Sequence, residues 1–326
     1  EDQPYVDPTK EPISRYLLPS MVRRLDPKTP YLPSSPYISS EAFNLAGRID
    51  QNFAPEQHLW GPRGYYKAPF YTENIAKFVS EIGYHGCPSR ESLEKMFDKD
   101  FVYPWKNKID FEWNDQWQTK AVRSHPYATE TIKRNDLMTN QIKCVFTEVP
   151  NDLDRFILAS QIIQAEAKKY FIEFWRMNKF DRNGILWWNL RDGWPVISDA
   201  IVDYYYTKKL AYHYIKRVQT DVCVMIGDAK ESGHPVVIVN DTRIQVKGNF
   251  SVKDADTKVT LLSKEFSISA NGKSVEDNLP ETDKTKLWLI EWEVNGEKYL
   301  NHYFVFKPHV ELDEYLKWLP NIKRNQ

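Results

Sequence analysis

The stretch Phe78-Val79-Ser80-Glu81-Ile82-Gly83-Tyr84-His85 carries the sharpest chemical signal in the chain. An apolar run delivers one carboxylate at its C-terminal end, and a glycine follows two residues on. In α/β barrels the reacting groups stand at that end of the strands, which makes Glu81 a candidate catalytic carboxylate. A solvent-facing Glu at a strand terminus would read the same way, and composition alone favours that plainer reading. A second cluster is Leu186-Trp187-Trp188-Asn189-Leu190-Arg191-Asp192-Gly193-Trp194-Pro195. Its three Trp, Trp187, Trp188 and Trp194, could form an aromatic platform for a sugar ring, with Asp192 as its hydrogen-bonding edge; a Trp-rich core layer fits the residues equally well. The third is Gln57-His58-Leu59-Trp60-Gly61, which puts His58 and Trp60 on one face of a short strand.

These residues need elements to hold them. Four short runs read as strands: Tyr31–Pro36, Pro55–Trp60, Ala76–Gly83 and Gly184–Leu190, the last as a fully buried one. Glu11–Leu25 reads as a helix ended by Asp26-Pro27. Asp152–Met177 is the best helix. Phe156, Ala159, Ile163, Ala167, Tyr170 and Phe174 recur at steps of three and four, and Asn151 or Asp152 can cap it. Strand, loop, helix, strand is the rhythm of a parallel α/β fold. After about residue 218 the texture changes to short β-type runs: Val222–Ile226, Val236–Val239, Lys258–Leu262, Leu287–Val294 and Tyr299–Phe306. Asn271-Gly272 and Asn295-Gly296 lie between them as hairpin signals, and the spacing suggests a β-sandwich.

Composition bounds the rest. With 326 residues, the chain has room for about two domains. Lys+Arg is 44 and Asp+Glu is 45, which argues against a nucleic-acid footprint. No apolar run approaches the ~18–20 residues of a membrane span. Cys87, Cys144 and Cys223 are far apart, so neither a disulfide framework nor a CxxC metal site is expected. HExxH, GxGxxG, GxSxG and P-loop patterns are missing from the sequence, and no metal or cofactor is expected. The chain opens at Glu1 with no basic or apolar leader, so no signal peptide is visible and the termini do not give the compartment.

At this level of detail the sequence resembles a known family. FVSEIGY, the Ser160–Arg176 helix and Gly184–Arg217 (GILWWNLRDGWPVISDAIVDYYYTKKLAYHYIKR) are similar to glycoside hydrolase family 2, in its β-mannosidase-like branch. The Asp26–Pro36 run and His-Leu-Trp-Gly at His58 fit the same branch. The resemblance covers roughly residues 10–217 and implies a (β/α)8 barrel. The four strand candidates would be strands five to eight. The fold class it implies is therefore α/β plus all-β: the C-terminal half of a TIM barrel over 1–217, then an immunoglobulin-like β-sandwich over 218–326.

The resemblance also implies a chemistry. The family hydrolyses terminal β-linked sugars with retention. Its nucleophile is the Glu of a Ser-Glu-x-Gly motif, which here is Glu81. Its acid/base is the Glu of an Asn-Glu pair at the end of strand four, and no Asn-Glu dipeptide occurs in this sequence. That carboxyl is expected upstream of residue 1. A retaining glycosidase needs two carboxyls ~5–5.5 Å apart, so the chain by itself is expected to be inactive. His58, Trp60, Trp188, Asp192 and Trp194 are the expected substrate contacts. The expected partner is an oligosaccharide or β-glycoside, in a periplasmic or secreted setting, with self-association through the open half-barrel. The branch usually carries an aromatic residue where Ile82 stands, Gln where His85 stands, and Asn-Asp where Arg191-Asp192 stands. These departures are expected beside the sugar site, which leaves β-galactoside, β-glucuronide and β-glucosaminide specificities open. A second reading is a non-catalytic carbohydrate-binding or scaffold module that keeps the barrel sequence.

Overall fold

The computed structural model describes residues 10–46, 54–107, 109–120 and 134–323. In chain order its first half contains a π-helical turn Ile13–Leu17, α1 (Leu18–Leu25), α2 (Ser40–Ala46), β1 (Glu56–His58), α3 (Pro69–Thr72) and β2 (Phe78–Ile82). Next come α4 (Arg90–Met96), β3 (Trp105–Asn107), β4 (Glu112–Trp113), α5 (Asp115–Thr119) and α6 (Asp136–Lys143). Then follow α7 (Leu153–Met177), β5 (Gly184–Trp187) and α8 (Leu210–Val218). No helix among the described residues is long and apolar enough to cross a membrane.

β1, β2 and β5 form one parallel sheet in the order β1-β2-β5, and this sheet does not close into a barrel. Tyr31–Pro36, expected as a further strand, is not one. Pro33 and Pro36 have no N–H to give a ladder. The segment instead hangs on the sheet through side chains: the Ser35 hydroxyl donates to Glu56 Oε1 (2.7 Å) and the Tyr37 N–H to Glu56 Oε2 (2.6 Å). β5 also departs from expectation. It is an edge strand whose residues are at most half-buried, with Leu186 57% exposed. Side chains alternate across it: Ile185 and Trp187 pack on the core, while Leu186 points away with Phe78 of β2, itself 37% exposed.

α7 lies across the hidden face of this sheet. Its N-cap is Asp152, whose carboxylate accepts from the Arg155 N–H at 3.0 Å. The apolar stripe from Phe156 to Tyr170 is buried as expected, but so are Gln164, Glu166, Lys168, Lys169 and Glu173 on the helix's other faces. Each of these polar groups has a partner, as burial requires. Lys169 pairs with Glu173 at 2.7 Å, Glu173 accepts from Asn301 at 2.7 Å, and Glu166 accepts from His302 at 2.7 Å and Tyr315 at 2.5 Å. Between β2 and α7 the chain builds an aromatic unit that docks on the N-terminal end of α7. Trp105 and Trp113 sit 4.2 Å apart, Phe97 stacks on Trp117 at 5.1 Å, and Trp105 meets Phe156 edge-on at 5.2 Å. Much of the chain's Trp content is thus core. The unit leaves Phe78 and Leu186 uncovered.

The remaining strands are β6 (Val222–Ile226), β7 (His234–Asn240), β8 (Val246–Asp254), β9 (Thr260–Ile268), β10 (Lys273–Leu279), β11 (Lys286–Val294) and β12 (Glu297–Val305), followed by α9 (Leu312–Leu316) and α10 (Leu319–Ile322). They form two antiparallel sheets, β10-β7-β6 and β12-β11-β8-β9. Two of these strands were not anticipated. β8 carries Lys247, Asn249, Lys253 and Asp254, and β10 carries Lys273, Glu276, Asp277 and Asn278, so neither shows a clear apolar run. The two Asn-Gly pairs part company. Asn295-Gly296, with φ of 53° and 82°, closes the β11–β12 hairpin. At Asn271-Gly272 only Asn271 has positive φ (49°), and the chain passes there from one sheet to the other.

Candidate active site

Glu81 is the penultimate residue of β2, at the C-terminal end of a parallel strand and in register with His58 at the end of β1. The Trp60 indole N–H, two residues past β1, donates to Glu81 Oε2 at 2.8 Å. His58 Nδ1 stands 3.4 Å from the same oxygen, and its other ring nitrogen lies 2.9 Å from Ser35 Oγ. Glu81 Oε1 accepts no hydrogen bond from the described residues. Two strand ends therefore fix one oxygen of the carboxylate and leave the other available.

Glu81 opens into a cavity of about 540 Å³. Trp60, Trp188, Asp192 and Trp194 line it too, so five of the six expected site residues share one hollow. His58 is the exception: it supports Glu81 without lining the cavity. Trp188 and Trp194 are each 48% exposed, whereas Trp187 packs against the core, so the Trp cluster splits between platform and core. Trp60 and Trp188 meet edge-to-face with centroids 6.3 Å apart. Gly83 makes that corner possible. A Cβ there would stand 2.5 Å from Trp60 Cζ3 and 3.1 Å from the Trp188 carbonyl.

The charged floor of this cavity has no sequence signature, and it was not anticipated. Arg63 donates to Asp199 at 2.7 Å, both side chains being nearly fully buried, and its guanidinium lies 4.5 Å from the Trp60 ring centroid. Burial pushes the Asp199 carboxyl up, but Arg63, His85 and Lys168 together outweigh burial and hold it well below the usual range. Asp192 behaves oppositely. Burial raises its pKa, the Ser198 hydroxyl donates to Oδ1, and Oδ2 has no partner. The unpartnered Oδ2 can accept a hydrogen bond from a sugar hydroxyl. Lys168 of α7, buried beneath the site, donates to the Trp188 carbonyl; burial lowers its pKa to about 7. Arg134 and Leu137 add a wall from the segment before α7, and Arg134 makes no ion pair among the described residues.

The three departures from the family pattern stand behind the cavity, each beside a residue that lines it, and do not line it themselves. Ile82 is fully buried. His85 is buried with Nδ1 3.8 Å from Asp199 Oδ2. The Arg191 guanidinium covers the Tyr206 ring at 3.8 Å.

Comparison with known proteins meets this geometry. β-Mannosidase B of Aspergillus niger is 29% identical over 217 residues, spanning 64% of this chain and 23% of that protein. Its counterpart in Aspergillus oryzae is 27% identical over the same length. The crystal structure of the β-D-mannosidase from Dictyoglomus thermophilum superposes with a TM-score of 0.73 and 26% identity, over 90% of this chain and 34% of that one. The chain is thus similar to β-mannosidases in sequence and in fold, as its resemblance to glycoside hydrolase family 2 implied. It spans about a quarter of the length of the named relatives it matches. The Amycolatopsis orientalis exo-chitosanase shares the fold over 71% of the chain, with a TM-score of 0.50 and 16% identity. No family model matches the chain.

Proposed function

We propose that this chain supplies the nucleophile side of a retaining β-glycosidase acting on terminal β-mannosides. In this reading residues 1–217 are the second half of a (β/α)8 barrel, and 218–326 are an immunoglobulin-like sandwich with three strands in one sheet and four in the other. Glu81 Oε1 attacks the anomeric carbon, the bond to the leaving oxygen breaks, and a covalent glycosyl–enzyme forms. Trp60 holds Oε2 throughout. Trp188 and Trp194 offer faces to the sugar ring, and Asp192 engages a ring hydroxyl.

The observation that carries the reading is the Trp60–Glu81 bond at the strand end beside the open cavity. The mannoside is brought from the relatives. The leaving oxygen also needs a proton from a second carboxyl. Asp199 is held ionised by Arg63, His85 and Lys168, so it is a poor donor. Ordinary β-mannosides are therefore turned over negligibly by this chain alone, since acid–base help is worth typically ~10²–10⁴-fold.

A 2-deoxy-2-fluoro-mannosyl fluoride tests Glu81 without that second group, because fluoride leaves unprotonated. Mass spectrometry should find the label on the peptide bearing Glu81, and none after Glu81→Gln. Labelling of another residue, or none in the unaltered chain, would refute the assignment and favour a non-catalytic carbohydrate-binding module.

A further inference from the structure

A second cavity, of about 350 Å³, lies between α8 and β12 and shares no residue with the one that holds Glu81. Lys208, Lys216, Arg217 and Lys298 line it, and no Asp or Glu does. Several exposed cations elsewhere are paired, as Lys95 is with Glu91, Lys106 with Asp115, Lys264 with Asp277 and Lys307 with Asp283, and what sets this cleft apart is that four cations gather in it. The four cations of this cleft make no ion pair among the described residues. Such a concentration is not a reflection of overall charge, since 44 basic residues face 45 acidic ones. Arg217 donates through Nη2 to the Ile322 carbonyl, while its Nη1 has no partner. His213, in the same cleft, has its pKa lowered by burial and by Arg217, Lys208, Lys323 and Lys216 around it. Carboxylates stand at the Lys298 rim only, where Glu297 accepts from the Tyr299 hydroxyl at 2.6 Å and Glu293 is in register with Lys298 across β11 and β12; Lys208, Lys216 and Arg217 on the α8 side make the positive field that favours an anion.

Two aromatic faces flank the cations. Lys208 Nζ lies 4.5 Å from the centroid of Tyr212, and Tyr299 stacks on Trp292 at 5.4 Å. Past Lys298, Tyr299 and Leu300, which line both, the groove runs on into a hollow of about 370 Å³ lined by Asn249, Ser251, Glu291 and Glu293. The groove is thus cationic at one end, aromatic in the middle and acidic with neutral polar groups at the other. Its acidic end repels a uniformly charged polyanion such as a nucleic acid strand. A chain of hydroxyl-rich sugars with one anionic end matches it: the anion on the lysines, a ring on tyrosine, and hydroxyls on the carboxylates and amide.

We propose that the groove between α8 and β12 binds an oligosaccharide bearing a terminal uronate or sulfate ester, apart from the Glu81 cavity. The proposal does not depend on Glu81 being catalytic. Calorimetric titration of the 326-residue chain tests it with a neutral mannotriose, the same trisaccharide capped by glucuronate, the same sugar carrying a sulfate ester, inorganic sulfate, and a ten-residue oligothymidylate. At least one capped sugar should bind about tenfold or more tighter than the neutral one, and whichever does identifies the anion. The Lys216→Glu/Lys298→Glu chain should lose that advantage, with an unchanged far-UV spectrum. A Lys247→Glu/Lys284→Glu chain, altered at exposed lysines outside the groove, should retain it. Equal binding of capped and neutral sugars would overturn the proposal. So would equal loss in both double variants, or tighter binding of inorganic sulfate or oligothymidylate than of the capped sugars.

Discussion

Single residues decide whether the Glu81 corner holds together. Gly83→Ala puts a methyl 2.5 Å from the Trp60 ring and 3.1 Å from the Trp188 carbonyl. Backbone on one side and a fixed indole on the other leave little room to yield. The variant should lose about 1–3 kcal/mol in urea unfolding and lose the fluorosugar label as Trp60 leaves Glu81. Gly193→Ala, where a Cβ meets nothing within 4 Å, is the matched control and should change neither. Lys168 gives a pH signature. Burial, with Arg63 and Lys209 adding to it and Asp199 opposing, lowers its pKa to about 7, against about 10.4 in the unfolded chain. Above pH 7 the unfolded state holds the extra proton, so stability climbs with pH there and is weakest below 7. The slope is at most about 1.4 kcal/mol per pH unit from this group. Lys168→Met should flatten it in melts between pH 7 and 8.5. Above that window buried Cys87, whose pKa burial raises, begins to act in the opposite sense.

Elements show how local rules become cooperative ones. The β11–β12 hairpin turns on Asn295 and Gly296, both at positive φ, and pairs Val294 with Glu297 directly beyond them. Gly296→Ala meets no atom within 4 Å, so its cost is backbone conformation alone. A loss of about 1 kcal/mol is expected in thermal or urea unfolding, without change at the Glu81 cavity. α7 is the element that ties the halves together. One side ties down the loops after β5 and β2 through Lys168 and Gln164, another the β-sandwich through Glu166, Glu173 and their partners His302 and Asn301. Glu166 accepts only, so the His302 proton sits on Nε2, and Nδ1 is left without a partner. Burial lowers His302 to about 4 although Glu166 opposes it; the same pair holds Glu166 near 2 against burial.

At the scale of the molecule the open sheet is the outstanding feature. β1 and β5 are unpaired edges among the described residues, and Phe78 and Leu186 expose apolar surface on the face opposite α7. Closed barrels remove both liabilities. A second copy of the chain can cover the same patch on each partner by twofold pairing. Sedimentation at micromolar concentration should therefore show dimers or larger species, and Leu186→Glu should shift them toward monomer. A clean monomer of about 38.5 kDa without apolar-dye binding would show the face to be covered within one chain.

The sequence determined what depends on neighbours along the chain. Phe78–Ile82 ending in a carboxylate, the Asp152 cap, the stripe of α7, the edge-forming Asn295-Gly296 turn and the Trp188-to-Trp194 loop all rest on spacing within a dozen or so residues. The resemblance to a family rests on the same local strings. Tertiary structure decided what depends on distance across it. Trp60 and His58 reach Glu81 only because β1 lies beside β2 in parallel register. Arg63 finds Asp199 across 136 residues, and Lys168 reaches a carbonyl of the loop after β5. No local period encodes such pairs, because each is fixed by burial of two remote segments against one another. Burial likewise placed Ile82, His85 and Arg191 behind the cavity, divided Trp187 from Trp188, and turned a proline-bearing extended run into a side-chain brace on Glu56. The cationic groove is the same case. Lys208, Lys216 and Arg217 lie on or beside one helix, but Lys298 comes from a strand more than 80 residues on, and only packing of α8 on the sandwich makes them one site.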